Sequence, residues 1–187
     1  MDFAAIDFES TGHLEDRGDE PIQIGIALMQ GSDILSDNFF RSYIRPAKPR
    51  AISNAARAVH RIKDDQLQGA PLLINLWPTI RDALKGRVVV AHGAGTEKRF
   101  LRAFPMHGFG PWVDTLQLSR KYLPNLNDYA LGALLQKLNL EKEVASLCPG
   151  SSWHDALFDA VASLILLRSL LQERSTADDP YAMLGIS

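Results

Sequence analysis

Cysteine is almost absent from this sequence, and no excess of one charge is present either. The single cysteine of the 187 residues, Cys148, cannot form an internal disulfide, and no group of cysteines and histidines has the spacing of a structural zinc site. We therefore expect Cys148 to be a buried apolar thiol. Lys and Arg number 20 against 22 Asp and Glu, so no global positive field holds long nucleic acid and any nucleic-acid site must be local.

No segment has the pattern of a targeting signal or a membrane span. The N-terminus meets Asp2 and Asp7 before any long apolar run forms, and apolar stretches such as 164–167 are far shorter than the ~20 residues that cross a bilayer. These absences predict a cytoplasmic, reducing location. With 46% apolar residues and no internal repeat, the chain predicts one compact domain over 1–173 and a frayed, flexible C-terminal tail over 174–187.

The first third of the chain has the pattern of β-strands, and most of the remainder has the periodicity of helices. Strands are predicted at 3–9, 22–29, 39–44, 88–91 and 111–114, the first three as an antiparallel meander. Helices are predicted at 54–60, 72–84, 97–104, 115–122, 128–138 and 153–171, with Ser53, Asp114 and Ser152 as N-caps. The sequence therefore predicts an α/β fold with a mixed five-stranded sheet flanked by helices.

Two acidic residues on the first predicted strand are candidates for chemistry. Asp7 and Glu9 lie two positions apart, so both carboxylates project from one face of the strand while Phe8 points to the other. Carboxylates held side by side in partial burial raise one another's pKa unless a cation compensates them, and Mg²⁺ prefers oxygen ligands of this kind. The pair indicates a metal site, with a strand end that has reached solvent as the alternative.

A histidine and two further acids stand near predicted helix starts. If Ser152 is the N-cap of the last helix, His154 lies in its first turn and Asp159 about one turn further on, roughly 140° around the helix. The two side chains are expected to flank a common cleft, with helix-start packing as the alternative for His154. Glu97 follows the strand 88–91 and would reach the sheet edge of the acid pair if the strands are neighbours. Stabilising the helix N-terminus is its alternative role.

The order of these three segments resembles the DEDDh exonucleases, the group that includes the proofreading subunit of bacterial DNA polymerase, ribonuclease T and oligoribonuclease. Residues 6–12, Ile-Asp-Phe-Glu-Ser-Thr-Gly, are similar to the first family motif. Residues 90–92 with 100–101 are similar to the second motif, and 152–159 to the third. Shorter similar segments lie between them, at 21–25, 58–62, 70–71, 114–116 and 131–134. The resemblance covers about residues 3–172.

The resemblance implies a ribonuclease-H-like fold and a metal-dependent 3′–5′ exonuclease that hydrolyses phosphodiester bonds at single-stranded DNA or RNA 3′ ends. It implies two Mg²⁺ ions, replaceable by Mn²⁺, held by four carboxylates, with a neutral imidazole as general base. The carboxylates are those of Asp7, Glu9, Glu97 and Asp159, and the base is His154. The implied nucleotide-binding residues are Ser10, Thr11, Gly12, His60 and His92, with capping or packing as the alternative for both histidines. A homodimer or a polymerase partner is compatible with this resemblance.

Three residues depart from the family pattern. Glu97 stands where Asp is usual, Gly93 where Asn follows the histidine, and Arg61 where Gly is common. The extra methylene of Glu97 keeps the charge but moves the carboxylate outward. A weakened nucleic-acid-binding or partner-docking module of the same fold is therefore the alternative function. An endonuclease of the wider ribonuclease-H-like class is a third hypothesis, which the late histidine and aspartate match poorly.

Overall fold

The computed structural model of the chain describes residues 1–13, 18–47, 51–174 and 181–186. Of the predicted tail, residues 175–180 and 187 lie outside this described part. Residues Ala182–Leu184 form a short 3₁₀ turn, and Met183 in this turn is buried against the main core. Within the described ranges, no helix has both the length and the apolar character needed to cross a membrane.

The strands form one mixed sheet in the order β3-β2-β1-β5-β6, with β4 also paired to β2. They are β1 (Asp2–Ser10), β2 (Pro21–Gln30), β3 (Asp33–Ile34), β4 (Phe40–Tyr43), β5 (Val88–Ala91) and β6 (Trp112–Asp114). β1 pairs with β2 antiparallel and with β5 parallel, and β6 is parallel to β5. The predicted meander is confirmed, because β4 is antiparallel to β2. The described part has six strands rather than five, since two-residue β3, after the turn at Gly31, is too short to show an alternating pattern.

The helices are α1 (Asn54–His60), α2 (Asp64–Leu67), α3 (Trp77–Leu84), α4 (Gly95–Leu101), α5 (Thr115–Tyr122), α6 (Leu131–Lys137), α7 (Glu141–Leu147) and α8 (Ala156–Arg174). Two of the predicted N-caps are confirmed: Ser53 Oγ accepts a hydrogen bond from the Ala56 N–H, and Asp114 caps α5. The predicted helix 72–84 is a 3₁₀ turn followed by α3. The short helices α2 and α7 were not predicted.

The sheet separates two apolar cores. On one face α8 packs against β1 and β2, and its residues 160–167 are buried on all sides. On the other face α3 and α4 pack, with Ile80 and Phe100 in contact with the sheet. Cys148 is a free, buried thiol in the α8 core, as predicted. Helices thus cover both faces of the sheet. The ends of its strands remain as the place for polar groups.

Candidate active site

The alternation of β1 directs its two acids toward α8. Phe3 and Ala5 belong to the core on the α8 face, whereas Ala4 and Phe8 belong to the core on the opposite face. Asp7 and Glu9 continue the first series, because alternate side chains of a strand share one face. The carboxylates therefore lie at the carboxyl-terminal end of β1, facing the beginning of α8.

The start of α8 differs from the prediction. The helix begins at Ala156, and Asp155 rather than Ser152 caps it, since Asp155 Oδ1 accepts a hydrogen bond from the Leu157 N–H at 3.2 Å. Ser152 instead accepts the Asp155 N–H through its backbone carbonyl. The expectation that His154 lies in the first helical turn is wrong: His154 precedes the helix with φ 65°, in the left-handed region.

Two residues of β2 hold this helix start in place. Gln23 is buried; its Oε1 accepts the Ala156 N–H at 2.9 Å, and its Nε2 donates to Asp155 Oδ2 at 3.3 Å. At Gly25, an added Cβ would lie 2.2 Å from the carbonyl of Ala156, so only glycine permits this close approach. Arg41 forms an ion pair with Asp155 at 3.2 Å. The start of α8 is thereby fixed against the sheet, and His154 and Asp159 with it.

This anchoring brings three potential ligands together. One atom each of Glu9, His154 and Asp159 lie within 4.8 Å of one another. Asp159 Oδ2 accepts the backbone N–H of His154 at 3.1 Å, whereas its Oδ1 is buried with no hydrogen-bond partner among the described residues. The imidazole of His154 is exposed at the edge of this group. The side chains of His154 and Asp159 thus lie close together, although the local geometry differs from the predicted one.

Glu97 reaches the same place from the neighbouring strand. It lies in the first turn of α4, just after β5, which runs parallel to β1. The side chain is only 4% exposed, and Oε2 has no hydrogen-bond partner within the described ranges. A carboxylate that merely stabilised a helix N-terminus would gain nothing from such burial, because burial of an unpaired acid is unfavourable. The placement therefore favours a site role over the helix-terminus alternative.

The carboxylates repel one another in the metal-free protein. Burial, followed by repulsion from Asp159 and Glu97, raises the pKa of Asp7 well above its ordinary value. Burial and then the charge of Asp159 raise the pKa of Glu9 to about 8. Burial is also the main cause that raises the pKa of Glu97 to about 7 and that of Asp159 to about 7. The four acids thus occupy one electrostatically unfavourable cluster.

The donor set of this cluster fits a divalent metal ion. No salt bridge among the described residues involves Asp7, Glu9, Glu97 or Asp159. Burial raises the pKa of Glu97 and outweighs the charge of Arg99, which lowers it. Two buried carboxylate oxygens, on Glu97 and Asp159, lack hydrogen-bond partners in the part of the chain that the structure describes. Hard cations such as Mg²⁺ and Mn²⁺ prefer oxygen ligands of this type. Cation binding would relieve both the repulsion and the unsatisfied oxygens.

The predicted nucleotide-binding segment follows β1 directly. Thr11 is buried, and its N–H donates to the Glu20 carbonyl at 2.9 Å. The Gly12 N–H donates to Asp19 Oδ1 at 3.1 Å, and a Cβ at this position would lie 2.4 Å from Ser53 Oγ. Ser10 is half-buried at the strand end. The N–H groups of Thr11 and Gly12 are therefore engaged within the fold, and their predicted contact with a nucleotide stays a prediction.

The two other predicted histidines are held by the protein. His60 Nδ1 accepts the Ile62 N–H at 3.0 Å, so its Nε2 carries the proton and donates to the Ser10 carbonyl at 3.1 Å. His92 Nε2 lies 2.9 Å from the Tyr129 carbonyl, and its Nδ1 lies 2.9 Å from Thr115 Oγ1. Burial lowers the pKa of both rings. Each ring thus links two elements of the fold beside the carboxylate cluster.

A ribonuclease-H-like sheet carrying four such carboxylates and a histidine near the end of its first strand defines the class of DEDDh nucleases. Comparison with known proteins assigns the chain to a family. A family model described as "Exonuclease" matches residues 4–167, and the chain belongs to this family as a DEDDh exonuclease of the ribonuclease-H-like superfamily. Membership implies a requirement for a divalent metal ion, in agreement with the donor set.

Two relatives of the chain have names that refer to DNA polymerase III. The "DNA polymerase III PolC-type" protein of Thermotoga maritima is 32% identical over 143 residues, which cover 74% of this chain and 10% of the relative. The "DNA polymerase III subunit epsilon-like protein" of Rhodobacter capsulatus is 28% identical over 167 residues, covering 87% of this chain and 23% of the relative. The chain thus spans about a tenth to a quarter of these relatives.

Solved structures give the same fold. "Exonuclease X in complex with 5' overhanging duplex DNA" matches with a TM-score of 0.76 and 26% identity, covering 98% of this chain and 99% of that one. The nuclease domain of 3'hExo, "a DEDDh family member, bound to rAMP", matches with a TM-score of 0.75 and 18% identity, covering 92% of each chain. The second similarity is one of fold alone.

Proposed function

We propose that the chain is a metal-dependent 3′–5′ exonuclease that removes mononucleotides from single-stranded DNA or RNA ends. The observation that carries this proposal is the convergence, beside an exposed histidine, of four carboxylates that form no salt bridge among the described residues. Membership of the exonuclease family supports the reaction class.

The four carboxylates would hold two Mg²⁺ ions, with Mn²⁺ as a substitute. Asp7 would be the ligand shared by the two ions, because burial and then the charges of Asp159, Glu97 and Glu9 raise its pKa. Glu9 and Asp159 lie on the side of His154, and Glu97 approaches from α4. When bound, such ions activate a water molecule and stabilise the leaving oxygen of an in-line phosphodiester displacement.

His154 is the proposed general base. Its imidazole has no hydrogen-bond partner among the described residues, and one ring nitrogen lies within 4.8 Å of carboxylate oxygens of Glu9 and Asp159. As the water oxygen attacks phosphorus, its proton passes to this nitrogen. The bond between phosphorus and the 3′-oxygen of the preceding nucleotide breaks, and solvent protonates that oxygen. The products are a nucleoside 5′-monophosphate and a shortened strand with a 3′-hydroxyl.

Partners and substrate follow from the relatives. Exonuclease I was solved with a dT13 oligonucleotide, which supports single-stranded ends as the proposed substrate. Exonuclease X was solved with 5′-overhanging duplex DNA, in which the 3′ end is recessed, so paired 3′ ends belong in the test. Because its relatives are polymerase III proteins, a polymerase is the proposed partner, with a homodimer as the alternative.

The deciding experiment uses single- and double-stranded DNA and RNA oligonucleotides labelled at either end. We expect Mg²⁺ or Mn²⁺ to release labelled mononucleotide first from 3′-labelled strands, to shorten 5′-labelled strands stepwise, and to lose this activity in chelator. Internal fragments at early times would instead indicate an endonuclease. Binding without hydrolysis in either metal would indicate the weakened binding module.

A further inference from the structure

A cleft of about 430 Å³ lies beside His154. Its walls come from β4, from the turn after α1, from α2 and from the loop that precedes α8. His154 lines this cleft, but Asp7, Glu9, Glu97 and Asp159 do not. The imidazole therefore stands between the carboxylate cluster and a second space, which the four carboxylates do not line.

The hydroxyl of Tyr43 in this cleft has unused donor capacity. It accepts hydrogen bonds from Gln66 Nε2 at 2.6 Å and from Arg41 Nη2 at 3.3 Å. A phenol oxygen with two incoming hydrogen bonds keeps one O–H proton to donate. No acceptor for that proton is found among the described residues, so the hydroxyl is prepared for an acceptor that comes from outside the chain.

Arg61 adds an unpaired positive charge to the same cleft. Its side chain is exposed, lines the cleft, and has no ion-pair or hydrogen-bond partner within the described ranges. Its backbone has φ 61°, a conformation that favours glycine. Asp155 is the acid in the wall, but Arg41 and Gln23 already bind its carboxylate. The groups that remain to meet a ligand therefore include the Tyr43 hydroxyl, as a hydrogen-bond donor, and the Arg61 guanidinium.

We propose that this cleft binds a phosphate group of the nucleic-acid substrate or product through the Arg61 guanidinium and the Tyr43 hydroxyl. The inference rests on the proposed exonuclease function for the nature of the ligand. A guanidinium with neighbouring neutral donors matches the acceptor oxygens of a phosphate. The phosphate has two candidate sources, a linkage of the bound strand or the 5′-phosphate of the released nucleotide.

The Arg61→Gly variant tests this proposal without endangering the fold. Glycine adopts a positive φ more readily than arginine, so the melting temperature should be kept or raised. Lys85→Ala is the matched control, because it removes one exposed positive charge just before β5. Lys85 lies near the amino-terminal end of this strand, whereas the site lies at the carboxyl-terminal end of the parallel strand β1. Tyr43→Phe removes the second donor. Binding is measured by fluorescence anisotropy with a phosphorothioate-linked single-stranded oligonucleotide, and by competition with a nucleoside 5′-monophosphate.

We expect Arg61→Gly to weaken binding ~10-fold and to lower the salt dependence of binding by about one phosphate contact, with a smaller loss in Tyr43→Phe. A loss confined to the oligonucleotide assigns the phosphate to the strand, and a loss confined to the mononucleotide assigns it to the product. If both ligands bind Arg61→Gly as tightly as they bind Lys85→Ala, the proposal is overturned. These comparisons decide it even if the wild-type protein hydrolyses nothing, a result that would remove the exonuclease proposal separately.

Discussion

The two ends of β1 lie on the same strand but differ in what they contribute. At the first end, Phe3, Ala4, Ala5 and Ile6 are at most 1% exposed, and their side chains fill the cores on both faces of the sheet. At the second end, Asp7 and Glu9 direct carboxylates toward Asp159 and away from any protein cation that the described residues provide. One strand thus carries both an apolar core segment and an acidic one.

Within a few residues of β1, the side chains that stabilise the fold are thus separate from those proposed to take part in the reaction. The apolar end contributes free energy of folding through burial, whereas the acidic end opposes folding in the absence of a cation. Sites with such internal repulsion are tolerated when the surrounding core is large enough to compensate. We therefore expect substitutions at the acidic end to remove activity while leaving stability unchanged or higher.

The largest expected effect is that of Asp7→Asn. Losing the shared carboxylate should lower turnover by ~10⁴-fold or more, about 5 kcal/mol of transition-state stabilisation, while the melting temperature stays equal or rises. Release of nucleotides from a 3′-labelled oligonucleotide and a thermal melt measure the two effects. Asp2→Asn, at the exposed first end of the same strand, is the control and should keep full activity. Wild-type turnover in Asp7→Asn would show that the site is misplaced.

His154→Ala should be the next most severe change. Removing the proposed base should reduce the chemical step by ~10²- to 10⁴-fold, whereas metal affinity, measured calorimetrically, should remain close to that of the wild type. Added imidazole should restore part of the rate, which a merely structural histidine would not allow. An unaltered single-turnover rate would refute the base assignment and leave the carboxylate site standing.

A smaller effect is expected at Glu97. Glu97→Ala should lower turnover by roughly 10- to 100-fold and raise the concentration of Mg²⁺ or Mn²⁺ needed for half-maximal rate. Glu97→Asp keeps the charge and should retain most of the activity or improve it. A role confined to the helix N-terminus would instead cost Glu97→Ala only about 0.3–1 kcal/mol of stability with normal turnover. Metal titrations of both variants distinguish these outcomes.

The sequence predicted most of the fold because its signals are local. Alternation marked the long strands, and the side chains of Ser53 and Asp114 marked helix starts that depend on only a few neighbouring residues. Strand β3, with two residues, and helix α2, with four, lack enough residues for a periodic signal. Helix α7 buries Val144 and so presents little apolar periodicity. The start of α8 was placed wrongly because two candidate caps, Ser152 and Asp155, stand three residues apart, and only packing against β2 decides between them.

The acidic residues of the site were predictable from the sequence, but the residues that hold the site in place were not. Asp7 and Asp159 are acids in otherwise apolar segments, which signals a special environment. Gln23 gave a weaker signal, a buried polar residue inside an apolar strand, whose partners lie more than 130 positions away in sequence. Long-range hydrogen bonds of this kind leave no periodic trace, so their geometry emerges only from the folded chain.

The smallest and most general expected effect is on the pH dependence of stability in metal-free protein. The raised pKa values of Glu9, about 8, and of Glu97 and Asp159, about 7, mean that the folded state binds more protons than the unfolded state from about pH 4 to pH 8. Stability contributed by the protonated cluster is therefore complete below about pH 4 and is lost as the pH rises through 7 and 8. Between pH 5.5 and 9 in chelator, we expect a loss of at least about 2 kcal/mol, or at least ~4–8 °C in melting temperature, reversed by Mn²⁺ at the higher pH. Glu9→Gln should flatten this profile, because Glu9 has the highest pKa of these three acids. A melting temperature that stays constant or rises over this pH range would show that the acidic end of β1 does not oppose folding.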